Sequence, residues 1–158
     1  GISSNVLILD SDTIFLNPVE FLNSSGGGLY NPGTEYHPPY FMHMNKLTNG
    51  KIKKMSQKYS GISHHMLFQK SILNMLFKLV ESIHKKDFWK AFCSCIDKKR
   101  FEESGASEYE IYFNFVLKNT KQAKIRLLQW TNLDNIQDIP VYKEMGYHYV
   151  SCHEHMRR

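Results

Sequence analysis

Asp10 and Asp12 stand one residue apart at the end of an apolar run, in the stretch NVLILDSDTIFLNP at residues 5–18. Two carboxylates at positions i and i+2 repel one another, and burial adds a desolvation cost to each. A divalent cation held between them removes both penalties. Magnesium and manganese favour such hard oxygen donors and keep coordination positions free for phosphate oxygens. In open α/β sheets, ligands sit beyond the carboxyl ends of the strands, and this pair falls at such an end. Asp10, Ser11 and Asp12 together make a candidate ligand-binding turn. The bland alternative is that Asp10 caps the turn while Asp12 or Asn17 caps a following helix.

The elements that must position these residues follow from hydropathy patterning. Residues 5–9 are expected to form a fully buried strand, central in a parallel or mixed sheet. Pro18 suits the start of a short helix over 19–23, and SSGGG at 24–28 is a turn. Residues 31–50, with YHPPYFMHMN at their centre, are expected to form a long irregular loop. A short strand is expected at 59–62. A helix from about 64 to 84 follows, with Phe68, Ile72, Met75, Leu76, Leu79 and Ile83 on one stripe. Further helices are expected over 87–97 and 107–117, and strands over 124–129 and 147–152. Other polar and aromatic groups sit at useful places. His64 and His65 follow SGIS, with at least one expected in a cleft and Ser63 available as a helix cap. Ser107 and Glu110 in SEYE form a capping box. Trp89, Tyr109, Tyr112 and Trp130 are candidates for stacking on sugar faces, although core is the commoner role of such residues, while Tyr36, Tyr40 and Phe41 have fewer core obligations and are better candidates for ligand contact.

The chain's 158 residues suit one domain, taken as 1–158. No apolar stretch is long enough to span a bilayer. The three cysteines lack framework spacing, so free thiols in the cytoplasm or another reducing compartment are expected. Residues 66–100 carry eight Lys/Arg against three Asp/Glu, an excess equal to the whole chain's net charge of +5. A solvated helix face explains that excess without a nucleic-acid partner; attraction to anionic ligands or a membrane surface is the functional alternative.

LILDSDTIFLNPVEFL closely resembles the D-x-D segment of nucleotide-sugar glycosyltransferases of the GT-A fold. SGISHHMLFQKSILNML, SEYEIYFNFVL and YHYVSCHEHMR resemble successive blocks of a bacterial and large-DNA-virus group of these enzymes. The resemblance implies an α/β fold, a mixed sheet flanked by helices, and metal-dependent transfer of a sugar from a nucleotide donor, such as a UDP-sugar, to a carbohydrate or glycoconjugate hydroxyl. Asp10, Asp12 and a histidine near the C-terminus, best matched by His153 and next by His155, would hold Mn²⁺ or Mg²⁺. Asp12 would thereby share in catalysis, Glu108 would act as base in an inverting reaction, and Arg157, with Arg158, would neutralise the diphosphate. A GT-A domain places a nucleoside-binding half before its D-x-D strand, and here that strand starts at residue 5. The chain is therefore expected to be the C-terminal, metal- and acceptor-binding portion, with an open sheet edge that invites a second copy. Two rivals stand beside this reading. One is a non-catalytic carbohydrate- or protein-binding module derived from a transferase. The other is a haloacid-dehalogenase-like phosphatase, which is disfavoured because Ile14 stands where D-x-D-x-T requires threonine.

Overall fold

The computed structural model describes residues 3–153, apart from the side chains of Arg100 and Phe101. It is a mixed α/β arrangement with three small sheets and helices packed against them. Strand β1 (Asn5–Leu9) pairs antiparallel with β4 (His65–Gln69), Leu9 opposite His65. Strands β2 (Thr13–Phe15), β7 (Tyr149–Ser151) and β6 (Trp130–Asn132) form a second sheet, antiparallel between β2 and β7 and parallel between β6 and β7. Strand β3 (Leu29–Tyr30) pairs in parallel with β5 (Lys124–Ile125).

Two expectations for β1 need correction. It pairs with β4 alone among the described strands, and Ile8 and Leu9 are each 43% exposed. Its apolar run therefore covers the core on one side without being central or fully buried. Val19–Asn23 forms no helix; the chain there is extended and Leu22 bridges to Gly28. Pro18 starts no helix, and the amide of the preceding Asn17 donates to the carbonyl of Tyr147, 2.7 Å away.

The supposed loop at 31–50 contains α1 (Pro38–Leu47). Prolines at its first two positions cost nothing, since no intrahelical acceptor awaits their missing N–H groups. Pro39, His43, Met44 and Leu47 then turn one buried stripe inward. The long helix expected from residue 64 is split: β4 precedes α2 (Lys70–His84). Met66 and Leu67 are buried on both faces of β4, so their run carries no period that separates strand from helix. The 59–62 segment contributes only a bridge between Ser60 and Gly33. Helices α3 (Phe88–Cys95) and α4 (Glu108–Asn119) fall close to expectation, whereas the 124–129 strand shrinks to β5. A short α5 (Ile139–Glu144) was not foreseen.

Helix α4 is the centre of the larger apolar cluster. Every residue from Tyr109 to Val116 is buried, the mark of a helix surrounded by protein rather than lying on a surface. Around it pack α1, α2, α3 and β4. A smaller cluster of Leu16, Leu133, Val150 and Cys152 underlies the second sheet. Cys93 and Cys95 are free thiols. No helix among the described residues is long and apolar enough to cross a membrane.

Helix α1 is tied to α3 by a buried histidine. His43 Nε2 lies 2.9 Å from the Phe92 carbonyl and so donates to it. Burial lowers the His43 pKa, with the Lys46 charge acting in the same direction. A base whose pKa falls on folding contributes stability that is complete above its unfolded value, near 6.5, and is lost as the pH drops below it. His43→Gln should lie below the parent in thermal midpoint at about pH 7.5, yet lose less between there and about pH 5. A parallel fall in both proteins would contradict this role.

Candidate functional site

The acidic pair lies in a turn held at both ends by backbone bonds. Thr13 N donates to Asp10 O across the turn (3.1 Å). Asp10 N donates to His64 O in the segment entering β4, and Cys152 N, just past β7, donates to Asp12 O, both at 2.9 Å. The turn thus bridges the first sheet and the second, and the ends of β4 and β7 arrive beside it.

The side chains converge. One ligand atom each from Asp10, Asp12 and His64 lies within 4.8 Å of the others. Asp12 Oδ2 is 2.8 Å from His153 Nδ1, a hydrogen bond, while Asp10 Oδ2 is 3.7 Å from His64 Nδ1, too far for one. Asp10 is 44% and Asp12 21% exposed in their side chains. The other carboxylate oxygen of Asp12, Oδ1, is buried with no hydrogen-bond partner. An ionised oxygen left in that state is costly, and it fits a cation-binding donor. Neither aspartate is consumed as a helix cap.

An aromatic wall stands over the pair. The His64 ring lies 4.6 Å from Trp130 and 5.1 Å from His153. Trp130 stacks on Tyr149 with the planes 3° apart, as expected for directly paired positions on β6 and β7. Asn31 anchors this wall: its amide donates to the Tyr149 hydroxyl (3.1 Å) and its oxygen accepts from Leu128 N (2.8 Å). On the same face of the sheet, Thr13, Ser151 and Asn132 are paired neighbours, and each has a buried oxygen without a partner. Burial first, then the Asp10 and Glu108 charges, push the Tyr109 pKa up to about 12. Asp10, His64, His153, Trp130, Tyr149, Asn31 and Glu35 line a cleft of about 330 Å³, with Asp12 at its edge on the side of a neighbouring cavity.

The two adjacent histidines divide because β4 alternates its side chains. His64 enters the cleft. His65 turns into the core between the Phe15, Phe21 and Tyr149 rings, at 5.4, 5.5 and 5.2 Å. Both of its ring nitrogens lack partners. Burial, reinforced by the Arg126 and His64 charges, lowers its pKa to about 4, so it is neutral at physiological pH. Ser63 caps no helix, since α2 starts only at Lys70.

The segment carrying His64 is fixed from beneath by α4. Ser107 caps the helix, accepting from Glu110 N at 3.2 Å. The Glu110 side chain does not return the bond. It is fully buried and accepts from Gly61 N (2.8 Å) and from the Asn114 amide (2.6 Å), while Asn114 Oδ1 accepts from Met55 N (2.7 Å). Burial raises the Glu110 pKa against these bonds. Gly61 must be glycine for contact: a Cβ there would sit 2.7 Å from both Phe113 Cβ and the Tyr109 carbonyl.

The remaining expected residues fall elsewhere. Ser11 lines a neighbouring cavity of about 420 Å³ together with Asp12, Asp134, Asn135 and Cys152. Glu108 is exposed and borders an apolar groove formed by Phe68, Leu73, Phe77 and Phe88, not the cleft. Tyr36 and Phe41 stack on one another at 4.7 Å beneath Lys54 and take no part in the cleft lining. Arg157, His155 and Arg158 lie outside the described residues. Asn31, Glu35 and Tyr149 were missed; a sheet register that places Tyr149 beside Trp130 was the one signal that could have found that pair.

Gly61→Ala should destabilise the fold by about 1–3 kcal/mol, the usual cost of overpacking, and should displace His64. Chemical denaturation measures the first effect and the His64 imidazole resonance the second; an unchanged midpoint would contradict the close approach. The chain matches no protein-family model and no curated protein.

Proposed function

We propose that the cleft holds a divalent cation, Mn²⁺ or Mg²⁺, and that the chain takes part in transferring a sugar from a nucleotide-sugar donor to an acceptor hydroxyl. The observation that carries this reading is the convergence of Asp10, Asp12 and His64 within 4.8 Å beside a buried, unpartnered carboxylate oxygen. Asp10, Asp12 and His64 are the proposed ligands. His153 orients Asp12 through its 2.8 Å bond, as a second layer of groups commonly does around a metal. A mixed carboxylate–imidazole donor set suits manganese better than an all-oxygen cage would. When bound, the ion supplies Lewis-acid stabilisation of the charge on a departing diphosphate.

The protein's own groups account for the rest. Trp130, 37% exposed, offers a flat apolar face of the kind sugars stack on; the buried Tyr149 beneath it, held by Asn31, fixes its angle. The base assigned to Glu108 passes to Glu35, which lines the cleft whereas Glu108 does not. An exposed carboxylate there would accept the acceptor's hydroxyl proton within an inverting mechanism.

Calorimetric titration with inorganic pyrophosphate, which needs no nucleoside pocket, tests the reading. Binding should require Mn²⁺, vanish in excess chelator, and weaken about tenfold or more in Asp12→Ala, the scale at which losing one good polar contact acts. Binding indifferent to metal, or unaffected by Asp12→Ala, would overturn it.

A further inference from the structure

The groove that receives Glu108 is separate from the cleft. It is a slot of about 240 Å³ between β4, α2, α3 and α4, lined by Phe68, Leu73, Phe77, Phe88 and Phe92. The Phe77 and Phe88 rings lie 4.3 Å apart and join α2 to the start of α3. A second cavity of about 310 Å³ shares Phe68, Leu73 and Phe77 and ends at Lys70. The apolar surface therefore continues along α2 instead of closing into an isolated hole.

Basic and aromatic residues adjoin its lining residues in sequence. Trp89, next to Phe88, is 63% exposed, although burying so large a ring is normally favourable. Lys85, Lys86 and Lys90 surround it in sequence and are exposed, as are Lys70 and Lys78 on α2. The acidic groups facing this patch are largely engaged. Glu81 Oε1 accepts from Phe88 N (3.1 Å), and Asp87 pairs with Lys90 (2.8 Å). Glu108 is the one acidic residue in the slot itself. The left-handed Lys85 (φ 54°) turns the chain between α2 and α3, and the exposed Lys85, Lys86 and Trp89 all lie at or next to this corner in the chain.

We infer that this corner is a docking surface for an anionic lipid bilayer, with Trp89 entering the interface, the phenylalanine slot taking part of an acyl chain, and the lysines meeting lipid phosphates. Charge complementarity selects this occupant over a second copy of the chain, because two such basic corners would repel one another. A tryptophan beside lysines is the interfacial anchoring pattern of membrane-bound proteins, and each lysine near an anionic surface contributes appreciably to binding. Burial of exposed apolar side chains adds a salt-insensitive component. The inference is independent of the metal site.

Co-sedimentation of the full chain with two kinds of vesicle tests it: phosphatidylcholine alone, and phosphatidylcholine with about a third phosphatidylglycerol. The chain should pellet with the anionic vesicles only, and less at high salt. Lys85→Gln with Lys86→Gln, and separately Trp89→Ser, should each reduce partitioning by about tenfold. These positions are exposed, so thermal midpoints should stay unchanged, which separates lost docking from lost folding. Equal binding to both vesicle types, no binding to either, or vesicle binding untouched by these substitutions would overturn the inference. So would RNA binding at the same salt that the lysine substitutions abolish while vesicle partitioning persists.

Discussion

A four-residue turn with a fixed backbone is the constraint on which this molecule's site depends. The amide of Asp10 is held by the segment entering β4 and the carbonyl of Asp12 by the chain leaving β7, at 2.9 Å each. Those two bonds prevent the turn from relaxing so as to part its carboxylates. They also oblige two sheets that share no strand to meet at one place. His64 comes from the first sheet, Tyr149 and Trp130 come from the second, and His153 follows it. Without the clamp these groups would have no reason to share a cleft.

Electrostatic tension accumulates there and is only partly relieved within the protein. Asp12 gains a hydrogen bond from His153 on one oxygen and nothing on the other. Thr13, Ser151 and Asn132 add unpartnered buried oxygens along the adjoining sheet face. Such groups are rare in folded proteins and ordinarily meet water or a ligand. By contrast, the deeper polar layer satisfies itself: Glu110, Asn114, Gly61 and Met55 form a closed set of bonds under the cleft. One layer is a strut, and the other keeps buried unpartnered oxygens beside the acidic pair.

Much of this was legible in local sequence, and the rest was not for identifiable reasons. The apolar run ending in Asp10 gives the strand and the carboxylate placement directly. The stripes of α2 and the Ser107 cap of α4 likewise follow from spacing. The β4–α2 boundary was hidden because Met66 and Leu67 are buried whichever element they occupy. Helix α1 was hidden because its two prolines read as breakers, although their position at the first turn makes them starters. The Trp130–Tyr149 wall depends on pairing between strands nineteen positions apart, as their numbering gives, and no local pattern encodes a pairing. Glu108 was attractive for its helix N-terminal position, but the face on which it lies is set by how α4 packs, which is a tertiary fact.

Nuclear magnetic resonance of the histidine imidazoles during a Mn²⁺ titration bears on the site most directly. The paramagnetic ion should broaden the His64 and His153 signals first and together, at stoichiometric metal, while His43 and His84 stay sharp. Asp12→Asn should abolish the selective loss. Uniform broadening of all the histidines, or sharp His64 and His153 signals at stoichiometric Mn²⁺, would contradict a cation held by the Asp10–Asp12 turn.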